Sequence, residues 1–373
     1  MTEDKIAIMA LARTPGAGSV TIKQLISYCS GAGAIYTSDY KKLIKIPGVG
    51  EKVARSIQQK VGWAEAEAEW KRCQEVGVDL VFYTDANYPK RLKPLYDAPV
   101  LLYSVGNFDF NHNLTVGIVG TRQITEYGKS VTETIIRDLA PFNPLLVSGL
   151  AYGVDITAHR ACLKAGIPTV GVMASGLDVV YPSAHKRTAQ EMQANGGVVT
   201  ENPLGTKPDF MRFPARNRII AGLSDVTIVV ESARKGGSLI TAEFAQNYHR
   251  DVYAVPGNLG NSYSEGCNHL IRTNQASLFT SIEELAKDMQ WQTGTEREKK
   301  PGKTVKPEKE ISFDGFTQDE GQVLSMLKSK GDMQLDELSW HSGIQLGKLA
   351  NLLLNLEFQG MVRSMPGKKY SLI

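Results

Sequence analysis

Arg212-Phe213-Pro214-Ala215-Arg216-Asn217-Arg218-Ile219-Ile220-Ala221-Gly222-Leu223 runs, through Ser224, straight into Asp225-Val226-Thr227-Ile228-Val229-Val230-Glu231. The second run is almost continuously β-branched and apolar, the pattern of a strand buried on both faces of a parallel sheet. The first reads as a helix feeding that strand. Pro214 suits the first helical position, where its missing amide costs nothing and its φ is preset. Ile219, Ile220 and Leu223 form one apolar face. Arg216 precedes the isoleucine pair by three and four residues and projects from their side, whereas Arg218 points elsewhere. Three arginines and an aromatic beside a sheet suggest polyanion binding, but helix geometry alone does not bring all three arginines to one partner.

Working outward, short apolar runs at 116–119, 145–147, 169–173, 198–200, 226–230 and 252–255 alternate with helical stretches from residue 114 onward. That is the βαβ rhythm of a doubly wound parallel sheet, so the fold class is α/β and Rossmann-like. With 373 residues, two or three domains are expected. A net charge of +3 gives no global drive toward nucleic acid, so any basic surface must be local. The first residues lack a signal peptide's charged and apolar regions, and no apolar run approaches the ~18 residues of a membrane span, so a cytoplasmic protein without membrane contact is expected. Cys29, Cys73, Cys162 and Cys267 are scattered without metal-ligand spacing, which implies reduced structural thiols and no metal.

The ends differ from the middle. Residues 1–70 are helical in pattern and repeat a turn, Thr14-Pro15-Gly16-Ala17-Gly18 and Ile46-Pro47-Gly48-Val49-Gly50. The second lies in Leu43-Ile44-Lys45-Ile46-Pro47-Gly48-Val49-Gly50-Glu51-Lys52-Val53-Ala54, which matches a helix-hairpin-helix; such a module serves DNA phosphates or protein contacts. Pro89, Pro94 and Pro99 break the lead-in to the sheet, and the core spans 71–290. The charged, proline-punctuated stretch 291–312 reads as a linker. Residues 313–373 read as three helices and a hairpin around Pro366-Gly367, a winged helix. Its third helix presents Gln345, Lys348, Asn351 and Asn355, but acids and bases balance there, so partner contact or intramolecular packing competes with DNA reading.

In an open α/β sheet, ligands collect outside the carboxyl ends of the strands. Gly120-Thr121-Arg122 follows the first such strand; it lacks GxGxxG spacing, which argues against NAD. Its amides and guanidinium suit a phosphate, or Arg122 pairs with a neighbouring carboxylate. Ser148-Gly149 and Ser175-Gly176 end the next two strands and permit close approach of a ligand. Lys235-Gly236-Gly237-Ser238 opens a helix and has the free amides and hydroxyls of a phosphate cradle. With Glu243 it resembles the GGxGTxxE motif of LOG-type nucleotide phosphoribohydrolases imperfectly, since Leu239 replaces a glycine and Thr241 is displaced by one. A nucleotide-binding or hydrolysing enzyme is therefore the alternative reading. His159 and Cys162, one turn apart, lack a third orienting group for nucleophilic catalysis. No GxxxxGK[ST] occurs, which excludes a P-loop motor.

Gly120-Thr121-Arg122, Ser148-Gly149-Leu150-Ala151-Tyr152-Gly153-Val154-Asp155, Gly176-Leu177-Asp178-Val179-Val180-Tyr181-Pro182, the run from Phe213 to Ser224 and Gly236-Gly237-Ser238-Leu239-Ile240-Thr241-Ala242 together resemble the DNA-processing protein A (DprA/Smf) family over about 170 residues. The resemblance implies an extended Rossmann-like core with a helical domain before it and a winged helix after it. It implies a protein that binds single-stranded DNA without catalysis or cofactor, protects it during natural transformation and loads RecA onto it as a homodimer. Arg122 then corresponds to the family's DNA-contacting arginine and Phe213 to an aromatic that stacks on a base. Lys186 and Arg187 lie where relatives carry basic residues along the strand. Phe210 stands where a lysine is more usual, leaving Arg212 or Lys207 to supply the charge, or Phe210 to stack. Gln275-Ala276 stands where the family more often has Gly-Ala. The expected DNA-binding set is Gly120, Thr121, Arg122, Ser148, Gly149, Lys186, Arg187, Phe210, Arg212, Phe213, Arg216, Asn217, Arg218, Lys235, Gly236, Gly237 and Ser238.

Overall fold

A computed structural model describes residues 2–291, 316–331, 333–365 and 369–372, in two compact units, 1–299 and 300–373. In the first unit six helices lead, α1 (Thr2–Leu11), α2 (Ser19–Cys29), α3 (Ala32–Thr37), α4 (Tyr40–Leu43), α5 (Glu51–Gln58) and α6 (Trp63–Glu75). The two repeated turns join α1 to α2 and α4 to α5, and Gly48 takes φ +76°, a left-handed conformation that glycine enters without a Cβ clash. Leu11, Leu25, Leu43 and Ile57 of these helices share one core with Phe82, Leu101 and Tyr103, so the helical segment packs on the edge of the sheet. The expected division at residue 70 falls inside α6.

The sheet follows, in chain order: β1 (Asp79–Phe82), β2 (Leu101–Asn107), β3 (Thr115–Val119), α7 (Glu126–Leu139), β4 (Leu145–Ser148), α8 (Val154–Ala165), β5 (Thr169–Val172), α9 (Lys186–Met192), β6 (Gly196–Thr200), α10 (Arg212–Leu223), β7 (Val226–Val229), α11 (Gly237–Asn247), β8 (Asp251–Ala254), α12 (Glu265–Arg272), β9 (Ser277–Leu278) and α13 (Ile282–Asp288). The strand order is β1-β2-β6-β5-β4-β3-β7-β8-β9, parallel from β6 to β9. From β3 the chain winds one way to β6, then returns to β7 on the other side, so the topological switch point lies beside β3. Alternation along each strand makes the two faces. Val119, Val147 and Val229 meet α10 and α11 on one side, and Ile118, Leu146 and Ile228 meet α7 and α8 on the other.

Two elements depart from the sequence expectation. The proline-broken lead-in contributes β1 and β2, which extend the sheet antiparallel through β6; Pro89, Pro94 and Pro99 occupy the connection between them, outside the ladder. Within it Arg91 clamps Asp225 with two bonds of 2.6 and 2.7 Å. Helix α10 begins two residues earlier than expected, at Arg212, because Asp209 accepts the Met211 amide at 2.8 Å and starts the turn. Pro214 is thus the third helical residue, still among the first four whose amides lack an intrahelical acceptor.

The second unit comprises α14 (Gln318–Lys330), β10 (Met333–Gln334), α15 (Leu335–Ser342), α16 (Leu346–Phe358), β11 (Val362–Met365) and β12 (Lys369–Leu372), with sheet order β10-β12-β11. Three helices and a wing enclose Val323, Leu324, Leu338, Leu349, Leu353 and Val362. A capping box between Thr317 and Glu320 starts the first helix. Apart from Trp291, the stretch expected as a linker lies outside the described residues, as does the Pro366-Gly367 turn.

Candidate nucleic-acid interface

The carboxyl ends of β3, β4 and β5 and the first turns of α10 meet at one crevice, lined by Arg122, Gly149, Tyr152, Tyr181, Phe213 and Arg216 among others. The loop after β3 is held from beneath. Glu231, just past the end of β7 and fully buried, accepts the Thr121 amide on its backbone carbonyl at 2.7 Å. Its carboxylate accepts the Thr125 amide and hydroxyl at 2.9 and 2.5 Å. Thr121 O in turn accepts the Val154 amide at 3.2 Å. These bonds fix Gly120-Thr121-Arg122 at the mouth while leaving the Arg122 side chain exposed.

The guanidinium of Arg122 lies over the Phe213 ring, 5.2 Å from its centroid. Among the described residues no carboxylate pairs with it, so of the two readings open from sequence the structural ion pair is not the one formed. Tyr181 packs 5.6 Å from Phe213, and Tyr152 packs 4.8 Å from His185 on the same rim. Both tyrosines remain open to solvent, 46% and 48% exposed. A cation and three aromatic rings at the carboxyl edge of the sheet have the chemistry to meet a phosphate and the π-faces of bases together.

Arg216 has a different task. Its side chain is buried at the crevice floor, with the residue 6% exposed. It donates to Gly149 O at 2.6 Å and to Val172 O, tying α10 to the ends of β4 and β5. Burial lowers its pKa to about 10, opposed by the nearby Asp155 carboxylate. Burial in turn raises the Asp155 carboxyl above its usual range, while Arg216 pulls it back. A Cβ on Gly149 would stand 2.5 Å from the Arg216 guanidinium and 2.6 Å from the Asp155 carboxylate, so only glycine lets both side chains lie against the backbone there.

Arg218 faces away from the crevice, paired with the half-buried Glu201 and donating to Asp97 O at 2.8 Å. Arg212 folds back to Lys207 O at 3.0 Å. Phe210 stands on the surface, 82% exposed and outside the crevice lining. The Ser148 hydroxyl is buried and donates to Ile118 O at 2.6 Å, a bond between neighbouring strands. Ser238 is likewise buried and donates to Ser232 Oγ at 2.9 Å. Asn217 reaches the opposite loop through Gly237 O at 3.3 Å, which places Lys235-Gly236-Gly237 beside α10; the Lys235 side chain is exposed. Lys186 and Arg187 begin α9, and Arg187 pairs with Glu191 at 2.8 Å.

The alternative chemistry finds little support in the same geometry. Glu243 is exposed on α11 and is not in the crevice lining. His159 and Cys162 are fully buried in the core: His159 Nδ1 meets Thr169 Oγ1 at 2.7 Å, and burial lowers its pKa to about 3 while raising that of the thiol. All four cysteines are buried and unbridged. Among the described residues no group of three His, Cys, Asp or Glu side chains is placed to hold a metal ion, and no helix is long and apolar enough to cross a membrane. In the second unit Lys348 pairs with Asp319 at 2.5 Å, which occupies the charge on its third helix.

Sequence reasoning passed over Tyr152 and Tyr181 as ring donors, although both stand in the glycine-rich and proline turns it singled out. An aromatic in such a turn at a strand's carboxyl end is the usable signal.

Comparison with known proteins identifies the family of this fold. The family profile for DNA recombination-mediator protein A matches residues 79–290, and that for the DprA winged helix domain matches 307–368. Protein Smf of Synechocystis is 29% identical, with 97% of each chain covered. DNA processing protein DprA of Streptococcus pneumoniae is 42% identical over 56% of this chain and 73% of its own. The X-ray structure of the pneumococcal protein superposes with a TM-score of 0.67 at 32% identity, covering 77% of this chain and 98% of that one. A Helicobacter pylori DNA processing protein A structure, described as showing a unique single-stranded DNA binding mode, gives a TM-score of 0.53 at 32% identity over 58% and 97%. With one family profile covering more than half of the chain, a second covering the winged helix, and a related solved structure covering 77% of it, the chain belongs to the DNA-processing protein A (DprA/Smf) family.

Proposed function

We propose that the crevice binds single-stranded DNA without regard to sequence and that the protein is a recombination mediator, not an enzyme. The observation that carries this reading is the Arg122–Phe213 pair, a cation free of carboxylates stacked on an aromatic at the carboxyl edge of the sheet. Phosphate contacts neutralise charge and release counterions, and ring faces accept any base, so the combination is sequence-tolerant and salt-sensitive. The single-stranded DNA binding described for the Helicobacter relative supports it. From the family resemblance come two finer parts of the proposal, action as a homodimer and delivery of the bound strand to RecA during natural transformation.

Fluorescence anisotropy with labelled oligothymidylate tests the reading. Phe213→Ala removes stacking worth about 1–3 kcal/mol per base, so affinity falls roughly 5- to 150-fold, and Arg122→Ala lowers it further with a shallower salt dependence. Unchanged affinity in the double variant overturns the assignment. Release of free base from nucleoside monophosphates, abolished by Glu243→Gln, replaces it with the phosphoribohydrolase reading.

A further inference from the structure

Beyond the crevice, α7, α8 and α9 enclose a second groove of about 550 Å³, lined by Lys129 and Glu133 from α7, Thr157, Arg160, Ala161 and Lys164 from α8, and Arg187 and Glu191 from α9. The spacing explains the lining. Residues 157, 160, 161 and 164 share one helical stripe, as do 129 and 133. Four cations face two carboxylates there, and the Glu191 carboxylate is taken by Arg187. Among the described residues Lys129, Arg160 and Lys164 have no carboxylate within ion-pair distance. With Glu133 the one remaining carboxylate, the groove keeps a net excess of two positive charges, and a polyanion relieves the repulsion among Lys129, Arg160 and Lys164.

The groove adjoins the crevice. Pro182 lines the crevice and Ala184 the groove, two residues along the same loop. Tyr152 stands on the crevice rim and packs on His185, the residue before Lys186. Arg160 lies close enough to His185 for its charge to disfavour the imidazolium, which places it at this junction. Phe213, Tyr181, Tyr152, then Arg160 and Lys164 therefore form one track, rings first and cations after.

We propose that the groove between α7, α8 and α9 carries the sugar–phosphate backbone of the same single strand onward from the crevice, with Lys129, Arg160 and Lys164 as its phosphate contacts. This inference rests on the crevice binding single-stranded DNA. It assigns the stacking of bases to the crevice and charge neutralisation to the groove, so the groove's contribution depends on strand length.

The test uses the full chain and oligothymidylates of about 6 and about 20 nucleotides, lengths bracketing single-strand site sizes. In Lys129→Ala/Arg160→Ala/Lys164→Ala, affinity for the short strand stays within about twofold, whereas affinity for the long strand falls at least about tenfold. The slope of log affinity against log salt drops by ~2 for the long strand, about 0.7 for each of three lost phosphates. Charge-conserving Lys129→Arg/Arg160→Lys/Lys164→Arg retains long-strand affinity. Equal losses on both lengths, or an unchanged long-strand affinity and slope, overturn the groove while the crevice reading stands. Wild-type protein that binds neither length, or an Arg122→Ala/Phe213→Ala protein that binds both normally, overturns the crevice reading and the groove with it.

Discussion

Replacing Arg216 by methionine separates an arginine that builds the site from one that touches the ligand. Methionine keeps much of the apolar stem but removes a guanidinium that donates to Gly149 O at 2.6 Å and to Val172 O, and that offsets the buried Asp155 carboxylate. Two carbonyls lose a donor at roughly 1–3 kcal/mol each, and an uncompensated buried charge typically costs about 3–5 kcal/mol. These contributions overlap, so a loss of about 4 kcal/mol is expected. That is a large part of the roughly 5–15 kcal/mol that holds a domain together. Urea denaturation followed by far-UV circular dichroism reads it as a lowered midpoint. Asp155→Asn/Arg216→Met is less destabilised than the sum of its single variants, by about 1–3 kcal/mol, because the second change removes the stranded charge. Arg122→Ala, on the exposed rim, leaves the midpoint within ~0.5 kcal/mol. An Arg216→Met protein with a wild-type midpoint and no DNA affinity would refute this reasoning and make Arg216 a ligand contact.

Gly153 has φ +77° and ψ −122°, and a Cβ there would lie 2.1 Å from Thr121 O. Gly153→Ala is therefore expected to cost more than about 2 kcal/mol in denaturation experiments and to displace the Arg122 loop, seen as loss of strand affinity in the protein that remains folded. His159 supplies a pH dependence, since burial lowers its pKa from 6.5 to about 3. Between those values the unfolded chain binds the proton and the folded chain does not, so stability is full above pH 6.5 and falls on acidification. The loss is ~2 kcal/mol by pH 5. Urea midpoints measured from pH 7 to 5 show this slope, and His159→Gln flattens it; an unchanged slope in the variant would assign it to another group.

How much of this was legible in the sequence depends on how far apart the interacting groups lie. The parallel strands could be read because Val226-Thr227-Ile228-Val229 and its counterparts carry the signal within four residues. β1 and β2 could not, because Asp79-Leu80-Val81-Phe82 is short and half exposed, and its strand character comes from pairing with residues 101–104. The rim pair was approachable because Arg122 and Phe213 each sit in a turn with its own local signature. The roles of Arg216 and Arg218 were not. The acceptors of Arg216 lie 67 and 44 positions away, and Arg218 reaches Asp97 across 121.

Helix geometry nevertheless limits what α10 can offer a ligand. At 3.6 residues per turn, Arg216 and Arg218 point about 200° apart. Arg216 shares the side of Ile219 and Ile220, which the sheet buries, so any cation there is drawn to the strand-end carbonyls before it reaches solvent. Arg218, on the far side, meets Glu201 and the chain between β1 and β2. Arg212, at the first turn, is bound to Lys207 O and absent from the crevice lining. The helix therefore delivers a ring, Phe213, but no free charge to the crevice. The charge must come from another strand end, and the exposed position opposite Phe213 is Arg122, held there by the loop that Glu231 anchors. A cluster that looks basic in sequence is thus mostly internal scaffolding, and the exposed cation on which the proposed phosphate contact rests lies some 90 residues earlier, on β3's loop.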